Sequence, residues 1–478
     1  MENKRGSWGS NFGFLMAAVG SAVGLGNIWG FPYKMGSNGG FAFLLVYLLL
    51  AAFVGVAVML GELAMGRKTG QSTVGAYKQL SEKFVFVGYF GTLCGFLILS
   101  FYSVLGGMVL RYAIGYLIAM FGGDGWAGQG TGFFGWLLYD SGSMLLFYAL
   151  FSIITLVIVM GGVKGGIEKF SSVAMPALAA LLLIIIIYIA CQPGAVDGYK
   201  FVFKPNFEPL KNDFFGVLKT AAGQMFFSLS LGMGVMATYG SYLDKKENLQ
   251  KNAVIIPFFD TLIALMAACA VMPACAAFGV DFGAGPGLLF ASMQTVFANM
   301  GGFIGNLMGF LFYFLVLIAA VTSSISLLEG TVAVLNDRNI AKGKEPARKK
   351  NSLIIAGLIF IVGIPVALDA LGSGGAAVPA PYELLGFTVE DLGAGLVPVA
   401  IDCWLDLYDC LSEGIFMPLG AMIMSILIGW VWGTKLVKEE VEAGGHTYKA
   451  AKFFEICFKF IAPIGLLIVL IAQIQSFF

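Results

Sequence analysis

The residues best equipped for chemistry in this chain sit where an apolar sequence gives way. Asp260 lies within the run VIIPFFDTLIALMAACAV. A carboxylate in such surroundings is costly and by default functional; the other reading is a packed, protonated acid. Two more interruptions carry glycine and small polar residues: Gly20-Ser21-Ala22-Val23-Gly24-Leu25-Gly26-Asn27 and Ser228-Leu229-Ser230-Leu231-Gly232-Met233-Gly234. Each glycine costs about 1 kcal/mol in a helix relative to alanine, and Ser and Asn side chains offer the backbone other partners. Backbone opened there exposes carbonyls, which join Ser, Thr, Asn and Asp oxygens as the ligands a hard cation takes. The alternative for the glycines is close helix packing of the G-x-x-x-G kind.

Other chemistries find little support. His446 is the one histidine, which argues against a histidine relay or a histidine-built metal centre. The seven cysteines have no C-x-x-C spacing and read as small core residues. No nucleophile–base pair or phosphate-binding loop marks an enzyme. Lys and Arg number 28 and so do Asp and Glu, so the chain offers no basic surface for nucleic acid.

The elements that position these residues follow from composition. With 59% hydrophobic and 12% charged residues and a mean hydropathy of +0.87, the chain calls for a lipid bilayer as solvent. A spanning helix needs about 20 predominantly apolar residues. Eleven stretches qualify, near 12–36, 41–66, 85–120, 143–162, 168–192, 214–242, 251–280, 300–336, 351–371, 405–433 and 451–477. The fold class is therefore an all-α membrane protein of about eleven transmembrane helices, one transport domain over 1–478. Met1–Ser10 is polar and the first apolar stretch lacks a small-residue cleavage site, so no cleavable signal peptide is read. With the N-terminus in the cytoplasm, 21 of the 28 Lys and Arg fall on that side and six on the other. The positive-inside rule then places the C-terminus outside, in the cell's inner (plasma) membrane. The longest connections are the basic Asp337–Lys350 and the acidic Ser373–Asp402 segments.

The glycine interruptions fall in the first and sixth stretches, which correspond if 12–192 and 214–433 are two five-helix repeats, with 451–477 an additional helix. Five is odd, so the second repeat is inverted in the membrane. Paired broken helices of that kind point to a transporter's binding site.

These motifs resemble a known family. GSAVGLGNIWGFP (Gly20 to Pro32), Asn38-Gly39-Gly40, GELAMGR (Gly61 to Arg67), GQMFFSLSLGMG (Gly223 to Gly234) and AAVTSSIS (Ala319 to Ser326) are similar to those of the neurotransmitter:sodium symporters. Within that family the chain looks most like the eleven-helix bacterial transporters of hydrophobic and aromatic amino acids. The resemblance implies a leucine-transporter-like fold with helices 1 and 6 broken, and sodium-coupled symport of a neutral amino acid. A sensor or channel-like protein of the same fold, without coupled transport, is the alternative.

By the same resemblance, Ala22, Asn27, Ser228 and Asp260 hold one sodium ion together with the substrate carboxylate. Gly20, Val23, Ala319, Thr322 and Ser323 hold a second; Thr322 and Ser323 otherwise serve as ordinary interhelical hydrogen-bond partners. An acid at Asp260 supplies the charge for which many members recruit chloride, so no chloride is expected. Relatives that carry monoamines have an acid in the first break, where this chain has Gly24, so the substrate brings its own carboxylate. Ser21, Ala22, Leu25, Gly26 and Tyr102 then meet the substrate's polar end. Ile98, Phe227, Ser230, Met233, Ser323 and Leu327 line its side-chain pocket, and Ser228 also counts among the substrate-binding residues. That lining favours a neutral hydrophobic or aromatic side chain, with glycine and alanine also accommodated.

Gates follow in the same way. Arg5 pairs with Asp337 and Trp8 plugs the cytoplasmic vestibule, beside Ser241 and Tyr242. Gly166 and Pro176 mark where helix 5 unwinds to admit water to the second sodium. The outer gate departs from the family: Gly30 stands where most relatives have an arginine, although its partner acid, Asp409, is present. Lys34 is either its substitute or a snorkelling interfacial lysine. The oligomeric state and the preferred amino acid are not legible.

Overall fold

The computed structural model describes residues 6–126, 128–282 and 287–478, and among them there are helices and no strands. Among the described residues, nine helices are long and apolar enough to cross a membrane: Phe41–Thr69, Glu82–Met120, Ser141–Met160, Val163–Ala190, Leu249–Phe278, Gly302–Ala341, Arg348–Gly372, Trp404–Val431 and Ala451–Phe477. A tenth span arises if Asn11–Ala22 and Gly26–Ser37, bent by 52° at their junction, count as one. The 214–242 stretch, read from sequence as one span, is divided into Phe214–Ser228 and Val235–Gly240 with non-helical backbone between them. Neither piece is long enough to cross alone.

Polar caps fix several helix starts. Ser10 Oγ accepts the Gly13 amide at 2.9 Å, Asp213 Oδ1 accepts the Gly216 amide at 2.8 Å, and Asn248 Oδ1 accepts the Lys251 amide at 2.9 Å. The spans are apolar on nearly every face because one face meets protein and the other meets lipid. Val173, Ile184 and Ile187 of Val163–Ala190, and Ile464 and Ile471 of Ala451–Phe477, point outward. The Glu82–Met120 and Gly302–Ala341 helices are instead enclosed by the others and pack against each other.

The basic connection is shorter than the sequence suggests. Gly302–Ala341 runs four residues past Asp337, and the next helix begins at Arg348, because charged residues continue a helix freely once it enters water. The 373–402 connection forms short helices, Pro381–Leu384 and Val389–Gly393, over a small core of Ala380, Tyr382 and Val397. Tyr382 pins this cap by donating to the Gly372 carbonyl at 3.0 Å.

Candidate functional site

The first interruption begins where Val23 turns extended (φ −75°, ψ 104°) at the end of Asn11–Ala22. Asn27 stitches the opened backbone: its Oδ1 accepts the Gly24 amide at 3.0 Å. The second interruption needs left-handed backbone at three places, Ser230 (φ 53°), Gly232 (φ 81°) and Gly234 (φ 72°). The two glycines adopt it without penalty, whereas Ser230 is strained by about 1 kcal/mol or more. Its hydroxyl donates to the Ser21 carbonyl at 3.0 Å, joining the two interruptions. Gly232 is held from outside by Glu62, whose Oε1 accepts its amide at 2.6 Å.

Asp260 is fully buried at the meeting point of three donors. Asn27 Nδ2 donates to its Oδ1 at 2.7 Å, Ser228 Oγ reaches both carboxylate oxygens at 2.9 and 3.0 Å, and the Tyr47 hydroxyl donates at 3.2 Å. Asn27, Ser228 and Asp260 are thus brought together from three separate helices, with Ala22 and Ser228 facing one cavity.

The Gly20, Val23, Ala319, Thr322 and Ser323 set also converges. Ser323 Oγ lies 3.4 Å from the Gly20 carbonyl, 3.1 Å from that of Ser21 and 3.2 Å from that of Val23. Thr322 Oγ1 donates to the Ala319 carbonyl at 3.0 Å, and its Cβ lies 3.1 Å from where a Gly20 Cβ would stand. Hydroxyls and peptide carbonyls at these separations form an oxygen-rich cluster of the sort a hard cation takes.

Between the clusters lies a cavity of about 320 Å³, its space open in part to solvent. Its walls are Ser21, Ala22, Gly24, Leu25, Gly26, Ile98, Tyr102, Phe227, Ser228, Ser230, Met233, Ser323 and Leu327, which are the twelve pocket residues expected from sequence together with Gly24. No lining side chain is charged. The Leu25 amide donates to the Tyr102 oxygen at 3.1 Å, which leaves the hydroxyl proton of Tyr102 to be donated elsewhere. Phe227 lies over Gly26, so close that a Cβ there would stand 2.7 Å from the ring. Gly24 has the same tightness on the other side: an added Cβ would sit 2.6 Å from Ser323 Oγ and 2.8 Å from Tyr102 Oη. Overpacking of this kind costs about 1–3 kcal/mol. Gly24→Ala is therefore expected to destabilise the ligand-free protein by about 1–3 kcal/mol, read as a lower midpoint of thermal unfolding. An unchanged midpoint would mean that Ser323 and Tyr102 give way to the added methyl.

At the end of the bundle where the first helix begins, Trp8 Nε1 donates to the Tyr239 carbonyl at 3.1 Å, and its ring packs edge-on against Tyr239 and Tyr242. Glu168 ties down the same segment, accepting the Gly9 amide at 2.6 Å and the Ser10 hydroxyl at 2.9 Å. Ser241 Oγ donates to the Thr238 carbonyl at 2.6 Å, within its own turn. Asp337 Oδ2 accepts the amide and hydroxyl of Ser72 at 2.7 and 2.6 Å; its expected partner Arg5 lies outside the described residues. Gly166 packs against the Ile158 carbonyl, where a Cβ has no room. Pro176 stays inside the continuous helix Lys169–Ala190, so no unwinding is seen there. On the other side, Lys34 makes no ion pair within 4 Å among the described residues; its ammonium stands 5.9 Å from the Tyr33 ring centre, and it is no direct partner for Asp409.

Several participants were not read from sequence. Tyr47 was hidden in FAFLLVYLLL, where a hydroxyl among apolar residues was the available signal. Glu62 offered a clearer one, an acid in an apolar stretch. Tyr242 donates to Glu329 Oε1 at 2.7 Å, and Glu329, fully buried, is paired with Arg348 across the 342–347 connection. That ion pair joins residues 19 apart and has no sequence signature.

These features define a polytopic membrane protein whose opened backbone lines a small uncharged cavity close to a buried carboxylate. The chain belongs to the sodium:neurotransmitter symporter family, whose family model matches residues 5–129 and 137–378. It is 35% identical to the uncharacterized sodium-dependent transporter YhdH of Bacillus subtilis (strain 168), over 98% of this chain and 97% of that protein. It is 28% identical to the mouse sodium-dependent neutral amino acid transporter B(0)AT3, over 57% of this chain and 48% of the other. Among solved structures, the crystal structure of MhsT in complex with L-phenylalanine matches with a TM-score of 0.80 and 35% identity, over 98% of this chain and 100% of that one. The all-helical fold is that of MhsT.

Proposed function

We propose that the chain carries a neutral amino acid with a hydrophobic or aromatic side chain into the cell, driven by sodium, by alternating access. The observation that carries this reading is the uncharged cavity of about 320 Å³ set between two oxygen-rich clusters. The substrate's carboxylate faces Tyr102 and the amides of the first break, and completes the ligands of a sodium ion at Ala22, Asn27, Ser228 and Asp260. Its side chain occupies the Ile98, Phe227, Met233 and Leu327 end. A second sodium sits at Gly20, Val23, Ala319, Thr322 and Ser323. The phenylalanine named with the MhsT structure supports a bulky apolar substrate.

In this reading the chain is one transport domain crossing the inner membrane eleven times. Its inverted repeats are 12–192 and 214–433, helices 1 and 6 are broken, and the N-terminus is cytoplasmic. The Asp260 carboxylate removes the need for chloride, and no enzymatic step is involved. The Trp8 plug and the Tyr242–Glu329–Arg348 cluster belong to the closed cytoplasmic gate, with Arg5 and Asp337 beside them.

The test is uptake of labelled amino acid into sealed vesicles. Replacing external sodium with potassium or choline is expected to reduce uptake to background. Undiminished uptake in choline would refute sodium coupling. Saturable sodium-dependent binding without accumulation would assign the chain to the sensor class instead.

A further inference from the structure

Where Ser141–Met160, Val163–Ala190 and Gly302–Ala341 meet on the outside of the bundle, a groove of about 1090 Å³ runs between them, open along one side. Gly161, Gly165 and Gly166 line it with bare backbone, and Phe170, Val173, Phe314 and Ile318 form its walls. A Cβ added at Gly165 would meet nothing within 4 Å, so the backbone there looks into open space. Val173 is 71% exposed and Phe314 40%, so this side faces whatever surrounds the helices, which in a membrane is lipid. From Gly165 to Ala177 the groove follows one helix for about 18 Å, at about 1.5 Å per residue. That is a little over half of the roughly 30 Å apolar thickness of a bilayer, the depth of one leaflet. Lys169 is the one charged residue lining the groove, and it makes no ion pair within 4 Å among the described residues. Glu168, next to it in the chain, is turned to Gly9 and Ser10, and Glu329 is paired with Arg348. Arg348 Nε donates to the Val159 carbonyl at 3.0 Å, which sets the exposed Lys349 and Lys350 at the same end of the groove. Lys164, about one turn before Lys169, is exposed as well.

We propose that this groove is a binding site for an anionic phospholipid, with one acyl chain lying along residues 165–177 and the phosphate at Lys169. An ammonium on a flexible stem among apolar walls reaches for an anion at the membrane surface, and a phosphate takes its N–H groups in charge-assisted hydrogen bonds. Lys164, Lys349 and Lys350 add cationic charge at the same end, which favours a negatively charged headgroup over a zwitterionic one. The glycines sink the groove into the protein, so that methylenes of the chain are in contact on several sides, and such dispersion contact is lost across even a small gap. A second copy docked by the same face would bring two Lys169 ammoniums and no groove-lining acid to the contact. A bound chain touches three helices at once, and one of them, Gly302–Ala341, carries Ala319, Thr322 and Ser323. Occupancy therefore holds Val163–Ala190 against the helix of that oxygen-rich cluster.

Native mass spectrometry of the purified, delipidated full chain tests this in the absence of sodium and amino acid. Titration with phosphatidylglycerol is expected to give one saturable adduct, bound about fivefold or more tightly than phosphatidylcholine with the same acyl chains. Lys169→Gln should bring the two lipids close to parity, and Lys169→Arg should restore the preference. Gly165→Trp should displace both lipids by filling the groove, since its Cβ has free space. Lys438→Gln, at an exposed position of Lys435–Glu442 outside the groove lining, should leave both lipids bound as in the wild type. A thermal unfolding midpoint unchanged without lipid shows that a variant is folded, and Ala177→Leu replaces Gly165→Trp if the latter is not. Non-saturable binding, equal affinity of the two lipids for the wild type, or wild-type binding in Gly165→Trp overturns the proposal. So does a preference that survives Lys169→Gln or is lost equally in Lys438→Gln. A dimer that Gly165→Trp separates overturns it too, since a second copy then covers the groove.

Discussion

Replacing Asp260 with asparagine is expected to lower sodium affinity by roughly two to three orders of magnitude and to remove amino-acid uptake with it. The variant keeps an oxygen where Ser228 and Tyr47 donate at 2.9 and 3.2 Å, so the pocket's shape is nearly preserved. What it deletes is the charge, together with the acceptor that Asn27 Nδ2 uses at 2.7 Å. Unit charges about 4 Å apart interact by about 4 kcal/mol at an effective dielectric of about 20, which is close to a thousandfold in affinity. Substrate binding falls in parallel because the proposed substrate carboxylate shares the same ion. In the wild-type protein, exchanging chloride for gluconate should leave transport unchanged, as the carboxylate already balances the sodium charge. Chloride that restores uptake in the asparagine variant would locate the defect in charge rather than shape. The competing reading is a protonated Asp260 that serves only to hydrogen-bond its neighbours. Wild-type sodium dependence in the variant would favour that reading and exclude Asp260 from the cation site.

Tyr102→Phe is expected to weaken amino-acid binding by roughly 10- to 150-fold while changing sodium binding much less. A hydrogen bond to a charged group contributes about 1.5–3 kcal/mol, and the Tyr102 hydroxyl, which accepts the Leu25 amide at 3.1 Å, lines the cavity with a proton of its own to donate. The same substitution leaves the buried Leu25 amide without its acceptor, a structural cost of about 1–3 kcal/mol. The two effects are separable. The structural one lowers thermal stability in the absence of substrate, and the recognition one appears only in the substrate titration. Equal substrate affinity in the two proteins would reject Tyr102 as the carboxylate partner.

Much of this was legible because lipid makes the rules severe. Where the solvent offers no hydrogen bonds, long apolar stretches must be helices, and Glu82–Met120 and Ala451–Phe477 are close to their sequence outlines. For the same reason an acid at 260 and glycine, serine and asparagine within apolar runs stand out as departures that need a purpose. The twelve residues that the family resemblance suggested all line one cavity.

Other features depended on tertiary structure, because they join residues far apart along the chain. Nothing local in FAFLLVYLLL says that the Tyr47 hydroxyl meets an acid 213 residues away, or that Gln224 turns one end of its amide to Gly26 and leaves the other bare. Helix packing decided that Lys34 borders the same space as Asp409 without forming an ion pair with it. It also decided that Tyr242 meets a buried Glu329 already paired with Arg348. Composition and periodicity report what each segment demands of its surroundings, namely lipid, a partner or a ligand. Which partner answers is set by the approach of helices in three dimensions, where side-chain reach of a few ångströms separates an ion pair from a solvated charge.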